Sequence, residues 1–218
     1  MEIITTVFNF FLHIDTHLGQ IINNYGTLSY LILFSTIFVE TGLVFFPFLP
    51  GDSLLFAAGA FATLGSFNIF FLLVLLWIAA FAGDSVNYWI GRKFGQKLIA
   101  NPRIPINQEH IDKTQQFYNK HGSKTIFLAR FVPIVRTFAP FMAGIGKMHY
   151  PNFLNYNATG ALAWIIGVTL LGYFFGNIPF IKDNFSIAVL AIVILSILPL
   201  LYELITSKHN QPHNQESI

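Results

Sequence analysis

Long apolar runs, and the charged and proline residues that break some of them, constrain this chain more than any other feature. A helix needs about 20 apolar residues to cross the hydrocarbon core of a bilayer. Residues 68–89, 153–175 and 185–204 each supply that length. Backbone N–H and C=O groups have no water partners at that depth, so each run must satisfy its own as a helix. Composition agrees. A soluble domain carries about 25% charged residues, whereas this chain of 218 residues carries 10% and has 25 phenylalanines. The expected fold class is an all-α polytopic membrane protein.

Other apolar stretches are interrupted. Residues 3–22 contain His13, Asp15 and His17; the segment either spans or lies at the interface, and a membrane helix over 1–25 is the reading taken. It does not read as a cleavable leader, having no basic start and no small-residue cleavage site. Residues 28–64 are split by "PFLPGD", which holds Pro47, Pro50, Gly51 and Asp52. Residues 123–148 contain Arg130, Pro133, Arg136 and Pro140. Arms of roughly 10–14 apolar residues suit re-entrant segments better than spans, and broken backbone at depth must be buried in protein or line a wet cavity. Both stretches therefore read as hairpins, over 28–65 and 125–149, that enter the membrane and return.

The polar stretch 92–124 fixes the orientation. It has seven basic residues (Arg92, Lys93, Lys97, Arg103, Lys113, Lys120 and Lys124) against Glu109 and Asp112, a net of +5. Such a loop stays cytoplasmic. Its middle predicts a short surface helix, with Asn107 or Gln108 as a cap and Gly122 as a stop. The span 68–90 then runs inward, the hairpins enter from opposite faces, 153–175 exits and 185–204 returns. The polar tail 207–218 ends inside as a disordered stub. The hairpins resemble each other weakly: P-x-x-P-G-D before Ala58-Gly59, and R-x-x-P-x-x-R before Ala143-Gly144. Opposed broken helices meeting near the midplane form a transporter architecture with inverted repeats.

The charged residues carry the chemistry. Asp52 reads in part as a turn and cap residue ahead of a helix near Ser53. Capping does not explain Glu40, inside an apolar arm, where a charge costs about 2.5–3.5 kcal/mol on insertion scales. Glu40 must be protonated, paired or facing water. Arginine does not shed its charge, so Arg130 and Arg136 want carboxylates or phosphates, which guanidinium binds bidentately; Glu40 and Asp52 are the carboxylates at hand. The alternatives are a buried ion pair that only fixes the fold, or snorkelling of Arg130 to the headgroups. In "GDSVNYWIGRKFG", Asp84, Asn87, Tyr88 and Gly91 share a helical face. Asn87 and Tyr88 read as a packing seam, and Asp84 equally as seam or transport residue.

Other chemistries fit poorly. With no cysteine, disulfides, thiolate metal sites and cysteine nucleophiles are excluded. His13 and His17 have a helical metal spacing but no third ligand nearby. No metal, cofactor or nucleic-acid partner is expected.

Three blocks, "FVETGLVFFPFLPGDSLLFAAGA" (38–60), "GDSVNYWIGRKFG" (83–95) and "FLARFVPIVRTFAPFMAGIGKM" (127–148), with "GYFFG" (172–176), resemble the DedA family of bacterial inner-membrane proteins. This is the SNARE-associated, VTT-domain superfamily. The resemblance covers nearly the whole chain. It implies a membrane domain with two facing re-entrant hairpins, also carried by eukaryotic lipid scramblases. It implies translocation of a lipid such as undecaprenyl phosphate or a phospholipid, dependent on the proton motive force. It further implies that Glu40, Asp52, Arg130 and Arg136 are required. On this reading Glu40 and Asp52 couple protons, and Arg130 and Arg136 hold lipid phosphate. Asp84, Pro47, Pro50, Gly51, Pro133 and Tyr88 support them. The expected location is the bacterial inner membrane, with a homo-oligomer possible. A lipid-phosphate enzyme fits less well, because the nearest histidine, His149, lies past the hairpin; an assembly factor binding another membrane protein is the other alternative.

Overall fold

The computed structural model describes residues 26–43, 51–99, 108–176 and 178. The segments 3–22 and 185–204, the tail 207–218, Pro47 and Pro50 lie outside the described residues. Every regular element among those described is helical: α1 (Leu28–Gly42), α2 (Gly51–Thr63), α3 (Ile69–Ile99), α4 (Gln108–His121), a 3-10 turn (Gly122–Lys124), α5 (Thr125–Ala129), α6 (Pro133–Ile145) and α7 (Tyr150–Phe175).

Two helices, α3 over Ile69–Gly95 and α7 over Tyr150–Phe175, are long and apolar enough to cross a membrane. Only a third of each apolar window is buried. A core helix of a water-soluble protein would bury most of it, whereas a helix apolar all round suits lipid. Phe70, Phe71, Leu171 and Phe174 stand outward from these helices. The α3 helix continues through Arg92, Lys93 and Lys97 to Ile99, where basic side chains complement the negative end of the helix dipole.

The short helices start and stop where local chemistry dictates. Gly122, at φ +59°, ends α4 in the left-handed conformation that glycine adopts without a Cβ penalty. Val132 is extended and Pro133 occupies the first turn of α6, because the residue before proline avoids the helical region while proline itself starts a helix well. Thus α5 and α6 are separate pieces. The α2–α3 turn is tied down by side chains: Asn68 Oδ1 accepts from the Phe71 N–H (3.0 Å), and the Asn68 N–H donates to Tyr30 Oη (2.8 Å).

Packing of the short helices on the long ones is reciprocal. The α2 helix lies mainly against α7, and α6 mainly against α3. A Cβ at Gly59 would meet the Thr169 carbonyl, and one at Gly172 the Phe56 carbonyl. In the other pair, Gly91 faces the Phe141 carbonyl and Gly144 the Tyr88 carbonyl. Small residues allow such close backbone approach where lipid offers no hydrophobic drive.

Two apolar clusters result. One holds Leu33, Ile37, Leu55, Leu76 and Ile165; the other holds Tyr88, Ile126, Ala139 and Phe153. Along α3, Asp84 lies between members of the first cluster and Tyr88 of the second; along α7, Asn157 lies between Phe153 and Ala161. The polar centre sits at that junction.

On α4, Tyr118 donates its hydroxyl to the Ala139 carbonyl at 2.8 Å, docking the surface helix on α6. Burial pushes its phenol well above the usual range, so it serves there as a neutral donor.

Candidate functional site

Six of the described elements, or the turns at their ends, contribute to one polar centre. Glu40 comes from the last turn of α1, Gly51 and Asp52 from the first turn of α2, and Asp84 from the middle of α3. Arg130 follows α5, Arg136 lies in the first turn of α6, and Asn157 and Trp164 come from α7. The α7 helix is about 39 Å long at 1.5 Å per residue. Trp164, fourteen residues in, is near its middle.

The charges fall into two groups. In the first, one guanidinium bridges two carboxyls: Arg136 Nη2 donates to Glu40 Oε1 and Nη1 to Asp52 Oδ1, each at 3.0 Å. Asp52 Oδ1 also accepts from Trp164 Nε1 at 2.7 Å. Side-chain exposure is 3% for Glu40, 11% for Arg136 and 25% for Asp52, so the group opens on the Asp52 side. Gly51 makes this possible, since a Cβ there would run into the Glu40 carboxyl.

The second group is closed. Arg130 Nη2 donates to Asp84 Oδ2, to Asn157 Oδ1 (2.8 Å) and, at 3.4 Å, to the Ala80 carbonyl. Asn157 Nδ2 donates to the Phe81 carbonyl at 3.0 Å, holding the amide in place. Arg130 Nε and Nη1 and Glu40 Oε2 are buried without hydrogen-bond partners among the described residues.

Trp164 joins the groups. The Arg136 guanidinium carbon lies 4.8 Å from the ring centroid and that of Arg130 5.6 Å, both within cation–π range. Asn87 ties the frame: its Nδ2 donates to the carbonyls of Thr137 (2.9 Å) and Thr41 (3.2 Å), linking α6 and α1 to α3.

Sequence reasoning and structure differ in three places. Arg130 does not pair with Glu40 or Asp52; its carboxylate is Asp84, because α3 packs against both α1 and α6 and brings Asp84 to it. Asp52 does not cap a helix near Ser53. The helix already begins at Gly51, and the carboxyl turns to Arg136 and Trp164 instead. Asn157 and Trp164 were not anticipated. The signal existed: an amide and an indole N–H in the middle of an apolar run must each find a partner.

Tyr88 stays in the seam, donating to the Met148 carbonyl at 2.6 Å and accepting from Arg92 Nη1 at 2.8 Å. Pro133 supplies the break between Arg130 and Arg136.

Helices with apolar outer faces around a buried set of ion pairs define an integral membrane protein with a polar centre. The sequence matches the VTT domain over residues 49–174. It is 54% identical over 211 residues to Protein DedA of Escherichia coli (strain K12), covering 95% of this chain and 96% of that protein. It is 44% identical to an uncharacterized membrane protein of Mycobacterium leprae, covering 76% and 74% of the two chains. It is 33% identical to the inner membrane protein YghB of Escherichia coli (strain K12), covering 71% of each. No solved structure matches. The chain belongs to the DedA family of VTT-domain membrane proteins.

Proposed function

We propose that this protein moves a phosphate-bearing lipid, such as undecaprenyl phosphate or a phospholipid, across the bacterial inner membrane, driven by the proton motive force. One observation carries the reading: a single guanidinium, Arg136, bridges carboxyls from two different helices in a group that is partly open. Guanidinium binds phosphate with the same paired geometry that it uses for carboxylate. A lipid phosphate therefore exchanges with Glu40 and Asp52 for Arg136, and the displaced acids take up protons. No covalent step is needed, so the protein acts as a transporter and not as an enzyme.

On this reading α1–α2 and α5–α6 are opposed re-entrant hairpins in an inverted repeat. Support comes from length and packing: α2 and α6 have 13 residues each, about 20 Å against a hydrocarbon core of about 30 Å. Each packs on the long helix of the other half. Their N-termini carry Asp52 and Arg136, so two positive dipole ends favour an anion where those side chains meet. The basic segment from Arg92 to Lys124 and the C-terminus are cytoplasmic, by the positive-inside rule.

The test is reconstitution in liposomes, following flipping of labelled phospholipids and of undecaprenyl phosphate with and without a pH gradient. Flipping that rises with the gradient and is lost in Arg136→Gln is expected. Flipping no faster than in empty liposomes for every lipid, under every gradient, would overturn the proposal.

A further inference from the structure

Arg130 is the anomalous member of the site. It is 3% exposed, and among the described residues one nitrogen, Nη2, makes all its hydrogen bonds while Nε and Nη1 have no hydrogen-bond partner. Buried donors are ordinarily satisfied, and an exception asks for an explanation. Among the described residues, the carboxylate paired with Arg130 is Asp84. While Asp84 is charged it cancels the charge of Arg130, so a phosphate at the unused nitrogens would meet a neutral pair instead of a cation.

The charge inventory points the same way. Among the described residues, the groups facing the centre are Glu40 on α1, Asp52 on α2, Asp84 on α3, Tyr118 on α4, Arg130 after α5 and Arg136 on α6. The α7 helix brings only the neutral Asn157 and Trp164. Three carboxyls thus face two guanidiniums, and an uncompensated buried charge is costly. An arriving phosphate adds negative charge to a centre that already has an excess of it. Two displaced acids cannot serve two arginines when the second arginine is held by a third acid.

We propose that Asp84 is a third proton-carrying acid of the site: when protonated it leaves the charge of Arg130 uncancelled, and the unused nitrogens Nε and Nη1 then serve as a second phosphate-holding group beside Arg136. The inference rests on the phosphate-lipid reading above and adds a proton to it. Asn157, which shares Arg130 Nη2 with Asp84, keeps that nitrogen in place when the acid lets go.

The test uses the full-length protein in a maltoside micelle, titrated with dihexanoyl phosphatidic acid, a water-soluble phosphate-bearing lipid. Calorimetry in buffers of different ionisation heat gives the protons taken up on binding. Asp84→Asn should take up about one proton fewer than the unchanged protein and bind several-fold more tightly at neutral pH, since protonation is linked to binding. Asp84→Glu should restore the uptake. Because Asp84→Asn leaves Arg130 without its counter-charge and can fail to fold, Asp84→Asn/Arg130→Gln is titrated as well. That neutral pair should also take up about one proton fewer, and bind more weakly. Undiminished uptake in the neutral pair overturns the role of Asp84 and leaves phosphate binding at Arg136 standing. No binding to the unchanged protein overturns both readings.

Discussion

At the scale of single residues, Asp52 Oδ1 is held by two donors of different kinds, the Arg136 guanidinium and the Trp164 indole N–H. Trp164→Phe keeps a smaller aromatic ring beneath the arginines and removes the N–H. It should cost about 1.5–3 kcal/mol, the range for a hydrogen bond to a charged group. Trp164→Leu loses the ring as well and should cost a further 0.5–2 kcal/mol or so. Chemical denaturation of the purified protein in detergent measures both, and equal losses would mean that the arginines gain nothing from the ring. Arg136→Lys keeps the charge but has one nitrogen where two carboxyls are served by two. Lipid flipping should fall about tenfold or more, as expected where a bidentate grip is lost. Gly51→Ala places a Cβ against the Glu40 carboxyl. The overpacking should lower stability by about 1–3 kcal/mol. The residues themselves were largely legible: Glu40, Arg130 and Arg136 stand out because charge inside an apolar run demands a partner. Which partner was not legible. Asp84 and Arg130 are 46 residues apart in sequence, and no periodicity encodes the crossing of α3 past the second half.

At the scale of elements, the break between α5 and α6 and the start of α2 decide where the charges meet. Pro133 made the first break readable, and Gly122 the end of α4, because both act through local backbone geometry. The α2 helix starts at Gly51, two residues ahead of the start near Ser53 that the turn residues suggest, since the tertiary demand for Asp52 at Arg136 overrides its capping preference. If α2 and α6 are held together by this pair, Asp52→Asn and Arg136→Gln should each lower stability by about 1–3 kcal/mol, less than a fully buried pair because Asp52 is partly exposed. The double variant should recover part of the loss, as Asp52 is no longer left charged without a partner, although Glu40 still loses its guanidinium. Flipping should not recover. Thermal unfolding of the four proteins gives the coupling directly, and simply additive losses would show that the two helices do not depend on each other through these charges.

At the scale of the whole molecule, the long helices are antiparallel: Tyr88, near the basic end of α3, stacks on Phe153 near the start of α7, with ring centroids 4.5 Å apart. Arg92 lies over the Tyr88 and Trp89 rings, and Lys93 and Lys97 follow on the same helix end. The α4 helix, with Lys113 and Lys120, docks on α6 beside that end through Tyr118. The basic residues therefore gather at one pole of the molecule, while the opposite turn, residues 64–68, has no charged residue. Such asymmetry orients a membrane protein with its basic pole in the cytoplasm. A fluorescent reporter fused after Lys113 should therefore be bright, and a phosphatase active only in the periplasm should be inactive at the same position. The reverse pattern would invert the molecule.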